Sequence, residues 1–318
     1  MDTRTEPQTA PAVLMIRPVG FRANPQTAES NAFQEVPGED PGRTGAEIDS
    51  LARSEFDGLV AGLREAGVRV VAFDARADGS TPDALFPNNW VSFHADGRVV
   101  LYPMLAPNRR LERREDVLSR LAEEAGVHVR EIIDLSAHEA DDRFLEGTGS
   151  LVLDRVQRIA YACLSARTDV EVLAEFGHRL DYETIAFNAA DEDDVPIYHT
   201  NVMMSVGSDF AVVCEDAIGA VVQREAVRRK LEETGHEVIP ISRSQMAAFA
   251  GNMLELVSAG GERVIAMSRS AVESLDRRQL DGLAGRGRLV VGEIPTIEQK
   301  GGGSVRCMLA ELHLPPVT

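Results

Sequence analysis

Cysteine is scarce in this chain: Cys163, Cys214 and Cys307 are the only three in 318 residues. Three thiols at this length do not make a disulfide framework. Long apolar runs are also missing. No stretch of about 18 apolar residues occurs, so no membrane-spanning helix is expected. The polar start, Met1-Asp2-Thr3-Arg4-Thr5-Glu6-Pro7, lacks the apolar core of a secretory signal. Positive charge is in deficit, with 33 Lys and Arg against 51 Asp and Glu and a formal net charge of −18. Nucleic acids and anionic membranes reward basic patches, so neither is an expected partner. None of the seven histidines stands in a cluster with metal-ligand spacing, so neither a metal nor an organic cofactor is expected. These absences leave a globular chain, expected in the cytoplasm, whose 44% apolar content can build a large core. A homo-oligomer is compatible with the sequence but not specified by it.

What is present is a repeat. A polar or glycine-rich motif, a β-hairpin, an amphipathic helix and a further strand recur along the chain. The motifs are Phe86-Pro87-Asn88-Asn89-Trp90, Phe144-Leu145-Glu146-Gly147-Thr148-Gly149, Tyr198-His199-Thr200-Asn201, Gly251-Asn252-Met253-Leu254-Glu255 and the run from Gly301 to Cys307. Hairpin turns are expected at Asp96-Gly97, near Asp154-Arg155, at Gly207-Ser208-Asp209 and at Gly260-Gly261, because such residues tolerate the turn backbone. Helices are expected over 45–66, 111–125, 169–178, 221–234 and 270–283. Asn89, Glu146, His199, Asn252 and Cys307 are separated by 57, 53, 53 and 55 residues. In a closed radial array, equivalent places converge on the axis, and closure removes open sheet edges. The expected fold is therefore a five-bladed α/β propeller, a single domain over 13–318 preceded by a mobile segment over 1–12. The N-terminal strand at 13–18 is left to close the ring. A doubly wound sheet also alternates strands and helices, but does not call for two hairpin strands per helix.

Cys307 is the most reactive candidate. Three glycines clear its approach, and Arg306 directly precedes it. A neighbouring cation favours thiolate over thiol, and thiolate is the nucleophile. A small buried hydrophobe after a flexible turn is the competing reading. His199 is the one histidine at a repeat-equivalent motif, where an imidazole can exchange protons near neutral pH. Glu146 lies between apolar neighbours and is costly to bury unless paired. It can orient His199 or accept substrate N–H groups, or it can form a structural ion pair with Arg143 or Arg167. Asn88, Asn89 and Asn201 offer donors and acceptors in one group, although asparagine also makes turns. Asn252 carries the same ambiguity. Arg17 and Arg22 flank a glycine-containing loop that can grip a carboxylate. Cys163 and Cys214 are assigned to the packing of strands.

The Glu146-Gly147-Thr148-Gly149 turn, the His199-Thr200-Asn201 triplet and the Gly301-to-Cys307 tail resemble the amidinotransferase, or guanidine-modifying, superfamily (penteins). Met15-Ile16-Arg17-Pro18 with Asn24-Pro25, the Phe86–Trp90 motif and the Gly251–Glu255 motif resemble a bacterial branch linked to citrulline utilisation. The resemblance implies a five-bladed propeller with the active site on its axis. It implies Cys307 as nucleophile, His199 as general acid and base, and Glu146 as a carboxylate that binds substrate and orients His199. Arg306 either helps to activate the thiol or, by strand alternation, points away from Cys307. Guanidine-binding members typically carry Asp about where Asn89 and Asn201 stand. Two carboxamides suit a neutral ureido group better than a guanidinium cation, because a buried carboxylate facing a neutral group lacks a counter-charge. The expected activity is hydrolysis of citrulline, a small zwitterionic substrate, to ornithine, carbon dioxide and ammonia. The alternatives are an arginine or dimethylarginine-type guanidine hydrolase, an amidinotransferase, and a propeller that binds without catalysis.

Overall fold

The computed structural model describes residues 6–35 and 42–317. Among these, fifteen strands form five separate three-stranded sheets of one design. In each, an inner strand pairs antiparallel with a middle strand, and the middle strand pairs parallel with an outer one. One blade holds β3 (Val91–Phe93), β4 (Arg98–Leu101) and β5 (Glu131–Asp134). The next holds β6 (Val152–Asp154), β7 (Ile159–Cys163) and β8 (Glu183–Phe187). A third holds β9 (Met204–Val206), β10 (Phe210–Val213) and β11 (Glu237–Pro240). The fourth holds β12 (Leu254–Val257), β13 (Arg263–Ser268) and β14 (Arg288–Gly292). The fifth joins the two ends of the chain. Here β15 (Ala310–Glu311) lies antiparallel to β1 (Ala12–Arg17) with Leu14 opposite Ala310, and β1 lies parallel to β2 (Arg69–Asp74).

Burial follows position in the blade. The inner strands are buried except at Val257, and the middle strands are buried except at one or both ends of β1, β4 and β13, whereas an outer strand such as β8 buries only Phe187 fully. Parallel pairing of middle and outer strands requires a crossover, and helices supply it: α1 (Gly45–Glu65), α2 (Glu115–Ala125), α3 (Val170–Leu180) and α4 (Val221–Glu233). Local chemistry sets their starts. Thr44 and Glu47 form a reciprocal capping box on α1, and Asp169 caps α3. The single helix expected over 270–283 is two, α5 (Arg269–Ser274) and α6 (Arg277–Ala284). Leu275 is extended, and Asp276 with Gln279 opens α6 with its own capping box. The helix expected from Leu111 starts at Glu115, because Pro107–Glu112 forms a 3-10 stretch and Arg113 and Arg114 are extended. After β14, helix α7 (Pro295–Gly301) leads to a 3-10 turn, Val305–Met308, and then β15.

The segment over 1–12, expected to be mobile, is packed from residue 6 onward, while residues 1–5 lie outside the described residues. The Gln8 side chain donates to the Leu153 and Val206 carbonyls, 2.9 Å each, and accepts from the Arg155 N–H at 2.8 Å. Glu6 is buried against Arg155 at 2.6 Å and accepts from the Tyr182 hydroxyl at 3.0 Å. Ala10 bridges to Leu256. This short stretch thereby ties three blades together. Among the described residues, no helix is long and apolar enough to cross a membrane.

Candidate active site

The repeat-equivalent residues all precede the inner strand of a blade. Asn89 closes a 3-10 turn before β3, and Glu146 caps a helical turn (Gly147–Ser150) before β6. His199 caps Thr200–Met203 before β9, Asn252 precedes β12, and Cys307 lies in the turn before β15. Glycines let these turns meet. A Cβ at Gly149 would fall 2.4 Å from Asn89 Nδ2 and 2.6 Å from His199 Nδ1. Any larger residue there would push apart the carboxamide and the imidazole.

His199 Nε2 lies 2.9 Å from Glu146 Oε2. An ionised carboxylate only accepts, so Nε2 carries the proton and Nδ1 is the basic nitrogen. Glu146 is fully buried and also receives Arg167 at 3.3 Å, Arg109 at 3.7 Å and the Leu105 N–H at 3.0 Å. Burial alone would raise its pKa, but Arg167, His199 and Arg109 together hold it well below the usual carboxylate range. Burial pushes His199 down to about 4, against the upward pull of Glu146. The imidazole is therefore neutral at pH 7 and poised as a base. The acid limb of kcat/KM is expected below the ordinary imidazole value of about 6.5, toward pH 4. A limb at or above 6.5 in a pH–rate profile would show that His199 does not set it.

Cys307 is buried, and two carboxamides donate toward its sulfur: Asn252 Nδ2 at 3.3 Å and Asn201 Nδ2 at 3.5 Å. Asn252 also receives the Arg306 N–H on Oδ1 at 3.0 Å and donates to the Asn201 carbonyl at 3.0 Å, fixing the Cys307 turn to the His199 turn. Cys163 and Cys214 are fully buried, and desolvation pushes their thiols up to about 12 and about 11. Neither has the environment of a reactive thiol.

The fold brings Cys307, His199 and Asn89 to one small cavity, together with Thr27, Asp83, Arg109, Arg167, Tyr198 and Gly301 to Gly303. Its volume of about 10 Å³ is room for roughly one water. Glu146 stands behind His199 rather than at the cavity wall. Asn201 faces the sulfur, and Asn88 uses Oδ1 to receive Asn89 Nδ2 at 3.0 Å. Arg17 is not in the site: it forms a bidentate pair with Asp57 near the surface. Arg22 is not there either and holds the Gly20 and Gly79 carbonyls. Arg306 points away from Cys307 to Glu311 at 2.6 Å and the Leu309 carbonyl at 2.8 Å. The cations that do reach the cavity were not singled out in the sequence as site residues. Arg109 pairs twice with Glu112 at 3.0 Å and donates to Asn89 Oδ1 at 2.9 Å. Arg167, considered only as a structural partner of Glu146, lies over the Tyr198 ring at 5.1 Å. Arg143 pairs with Glu171 instead. Asp83 Oδ1 is buried with no hydrogen-bond partner, an acceptor left open at the cavity.

Five ββαβ blades around a cysteine, an imidazole and a buried carboxylate define an α/β-propeller hydrolase of the amidinotransferase superfamily, acting on C–N bonds of ureido or guanidino compounds. A model of the family described as N,N dimethylarginine dimethylhydrolase, eukaryotic, matches residues 17–314, and the chain belongs to that family. Solved structures share the fold. The N-terminal domain of ArgZ, an arginine dihydrolase from the ornithine-ammonia cycle in cyanobacteria, has a TM-score of 0.70 at 19% identity, covering 96% of this chain and 99% of that domain. AgrE, in a mutant complex with L-arginine, has a TM-score of 0.72 at 19% identity, with 96% of this chain matched. This chain spans 40% of the AgrE chain. A dimethylarginine dimethylaminohydrolase bound to S-methyl-L-thiocitrulline has a TM-score of 0.63 at 12% identity, covering 94% of this chain and 98% of that one. No curated protein matches in sequence.

Proposed function

We propose that this protein hydrolyses the terminal ureido or guanidino group of an amino acid through a covalent adduct on Cys307, with citrulline as the favoured substrate. The observation that carries the choice of citrulline is Asn89. It lines the cavity beside Cys307 and His199 as a neutral carboxamide, and its Oδ1 is already engaged by the Arg109 cation. A neutral carboxamide supplies no counter-charge to a guanidinium cation, whereas a ureido group needs none.

The chemistry follows from the geometry. Neutral His199 takes the proton of Cys307 as sulfur adds to the ureido carbon. The imidazolium, stabilised by Glu146, returns that proton to the departing amine, which leaves as ornithine. Water activated by His199 then attacks the carbamoyl thioester, and the carbamate formed decomposes to carbon dioxide and ammonia. Of the N–H groups in the Gly301–Gly303 loop that could face a developing oxyanion, that of Gly302 is already bonded to the Glu298 carbonyl at 2.9 Å. Arg109 and Arg167 are the guanidiniums that line the cavity, but both already pair with buried protein acceptors, so a substrate carboxylate would have to share them. The cavity must widen to admit an amino acid, and two side chains close on the Gly302 carbonyl across it: Asn31 Nδ2 at 3.3 Å and the Tyr198 hydroxyl at 2.5 Å.

Arginine is the second reading. Asp83 Oδ1 offers an unused acceptor to a substrate N–H, and ArgZ is named an arginine dihydrolase. A paired assay with L-citrulline and L-arginine, following ornithine, citrulline and ammonia, separates the two. Ornithine from citrulline alone is expected. Asn89→Asp should shift the ratio of kcat/KM toward arginine by about tenfold or more, since one buried charge match outweighs about 1.4 kcal/mol. An unchanged ratio would remove Asn89 from the argument.

A further inference from the structure

Three consecutive glycines form one wall of the cavity. Glycine has no side chain to be held by and loses the most backbone freedom on ordering, so this loop takes its shape from bonds to its backbone, where Tyr198 and Asn31 donate to the Gly302 carbonyl, and from its ends. One residue holds both. Glu298, on α7, receives the Gly302 N–H on its backbone carbonyl at 2.9 Å, and Gly302 is left-handed there, at φ +62°. Its side-chain Oε1 receives the Ser304 hydroxyl at 2.6 Å. The Ser304 carbonyl in turn receives the Cys307 N–H at 3.0 Å. One residue thus holds both ends, by its backbone carbonyl at Gly302 and by its side chain at Ser304, and only the second link can be removed by substitution.

The clamp is itself anchored. Glu298 Oε2 accepts from Ser270 Oγ, which lies 3.0 Å from Ser268 Oγ, the N-cap of α5. Glu55 on α1 receives the Thr296 and Ile297 N–H groups at 3.0 Å each and fixes the start of α7. Glu298 is buried and does not line the cavity, so it acts through other residues and not on substrate. Burial pushes its carboxyl upward, despite hydroxyl bonds from Ser270 and Ser304. A carboxyl retained at that desolvation cost has a specific partner to hold.

We infer that Glu298 is a positioning residue that clamps the glycine loop and, through Ser304, aims the Cys307 thiol into the cavity. The inference rests on the reading of Cys307 as nucleophile. The test compares Glu298→Ala, Ser304→Ala, the double variant and Glu298→Gln in the full chain. Three quantities are read: kcat and KM per alkylatable Cys307, the pH midpoint of Cys307 alkylation by iodoacetamide, and the thermal midpoint. Each alanine variant should lower kcat by about tenfold or more with KM within about twofold, a loss of alignment and not of binding. The alkylation midpoint should move upward, as sulfur leaves the Asn201 and Asn252 amide donors. The double variant should be no worse than the poorer single one, because both break one link. Glu298→Gln keeps an acceptor for Ser304 and should recover most of the activity. A lowered thermal midpoint with kcat per site and alkylation midpoint unchanged, or additive losses in the double variant, would overturn the clamp. If the wild-type protein turns over neither citrulline nor arginine, the proposed reaction fails, and the alkylation midpoint still decides the clamp without substrate.

Discussion

Cys307→Ser should leave a folded protein whose kcat is reduced by about four orders of magnitude or more, because no other group can form the covalent adduct. The size of the loss follows from the surroundings of the thiol. Asn252 and Asn201 direct N–H groups at sulfur, whose larger, softer atom is held 3.3 and 3.5 Å away. A serine oxygen would be a poorer nucleophile and would sit farther from both donors. Replacement of Cys163 or Cys214 by alanine should leave kcat within about twofold, since both are desolvated packing groups. Steady-state kinetics on the three variants, with circular dichroism as a check of folding, decides the matter. Appreciable turnover by Cys307→Ser would rule out covalent catalysis by this thiol.

Glu146→Ala should be the most damaging change among the polar residues, in stability as well as rate. Removing one partner of a buried ion pair costs about 3–5 kcal/mol, because the remaining charge is stranded. Here two guanidiniums, Arg167 and Arg109, and the His199 N–H would all lose their acceptor. The rate should fall by about 10²–10⁴-fold as the imidazole loses its tautomer and orientation. The pH dependence has a definite sign. Glu146 has a folded pKa below its unfolded value, so its contribution is complete above about pH 4.3 and is lost as pH falls below it. Glu311, flanked by Arg306 and Arg155, and Glu6, paired with Arg155, are depressed in the same direction. The wild-type protein should therefore lose stability steeply below about pH 4.3, and Glu146→Ala should lose it less steeply. Urea midpoints measured between pH 3 and pH 7 test this; parallel curves would mean that Glu146 is not the depressed group. Glu146→Gln separates charge from shape, and should retain more stability than alanine with little more activity.

The blade repeat was legible because each unit reuses one arrangement of polar turn, hairpin, helix and strand, and because the turn residues recur at nearly equal spacing. The axial meeting of Asn89, Glu146, His199, Asn252 and Cys307 follows from that regularity. Arg109 had no such signal. It lies in the connection between β4 and α2, as Arg167 lies in the equivalent connection between β7 and α3, but no recurring motif marks these two places, and it reaches the centre from the 3-10 stretch Pro107–Glu112. Arg167 looked like a counter-ion to Glu146 and is one, but it lines the cavity as well. Arg306 misled by adjacency. In the 3-10 turn Val305–Met308, neighbouring side chains point about 120° apart, so the residue beside the nucleophile faces Glu311. The start of the chain misled by composition. Its polar residues read as solvated, yet Glu6 and Gln8 find buried partners in the blades.

The fifth blade gives ring closure a temporal meaning. Its middle and outer strands, β1 and β2, precede the other described strands in sequence, and its inner strand, Ala310–Glu311, follows them all. The nucleophile lies three residues before that strand. A nascent chain that stops short of residue 311 therefore lacks a closed ring, and one that stops short of 307 lacks the thiol as well. Under the proposed reaction, a chain that stops before residue 307 has His199 and Glu146 without the sulfur they would serve, so ring closure and the thiol arrive together, after the other blades.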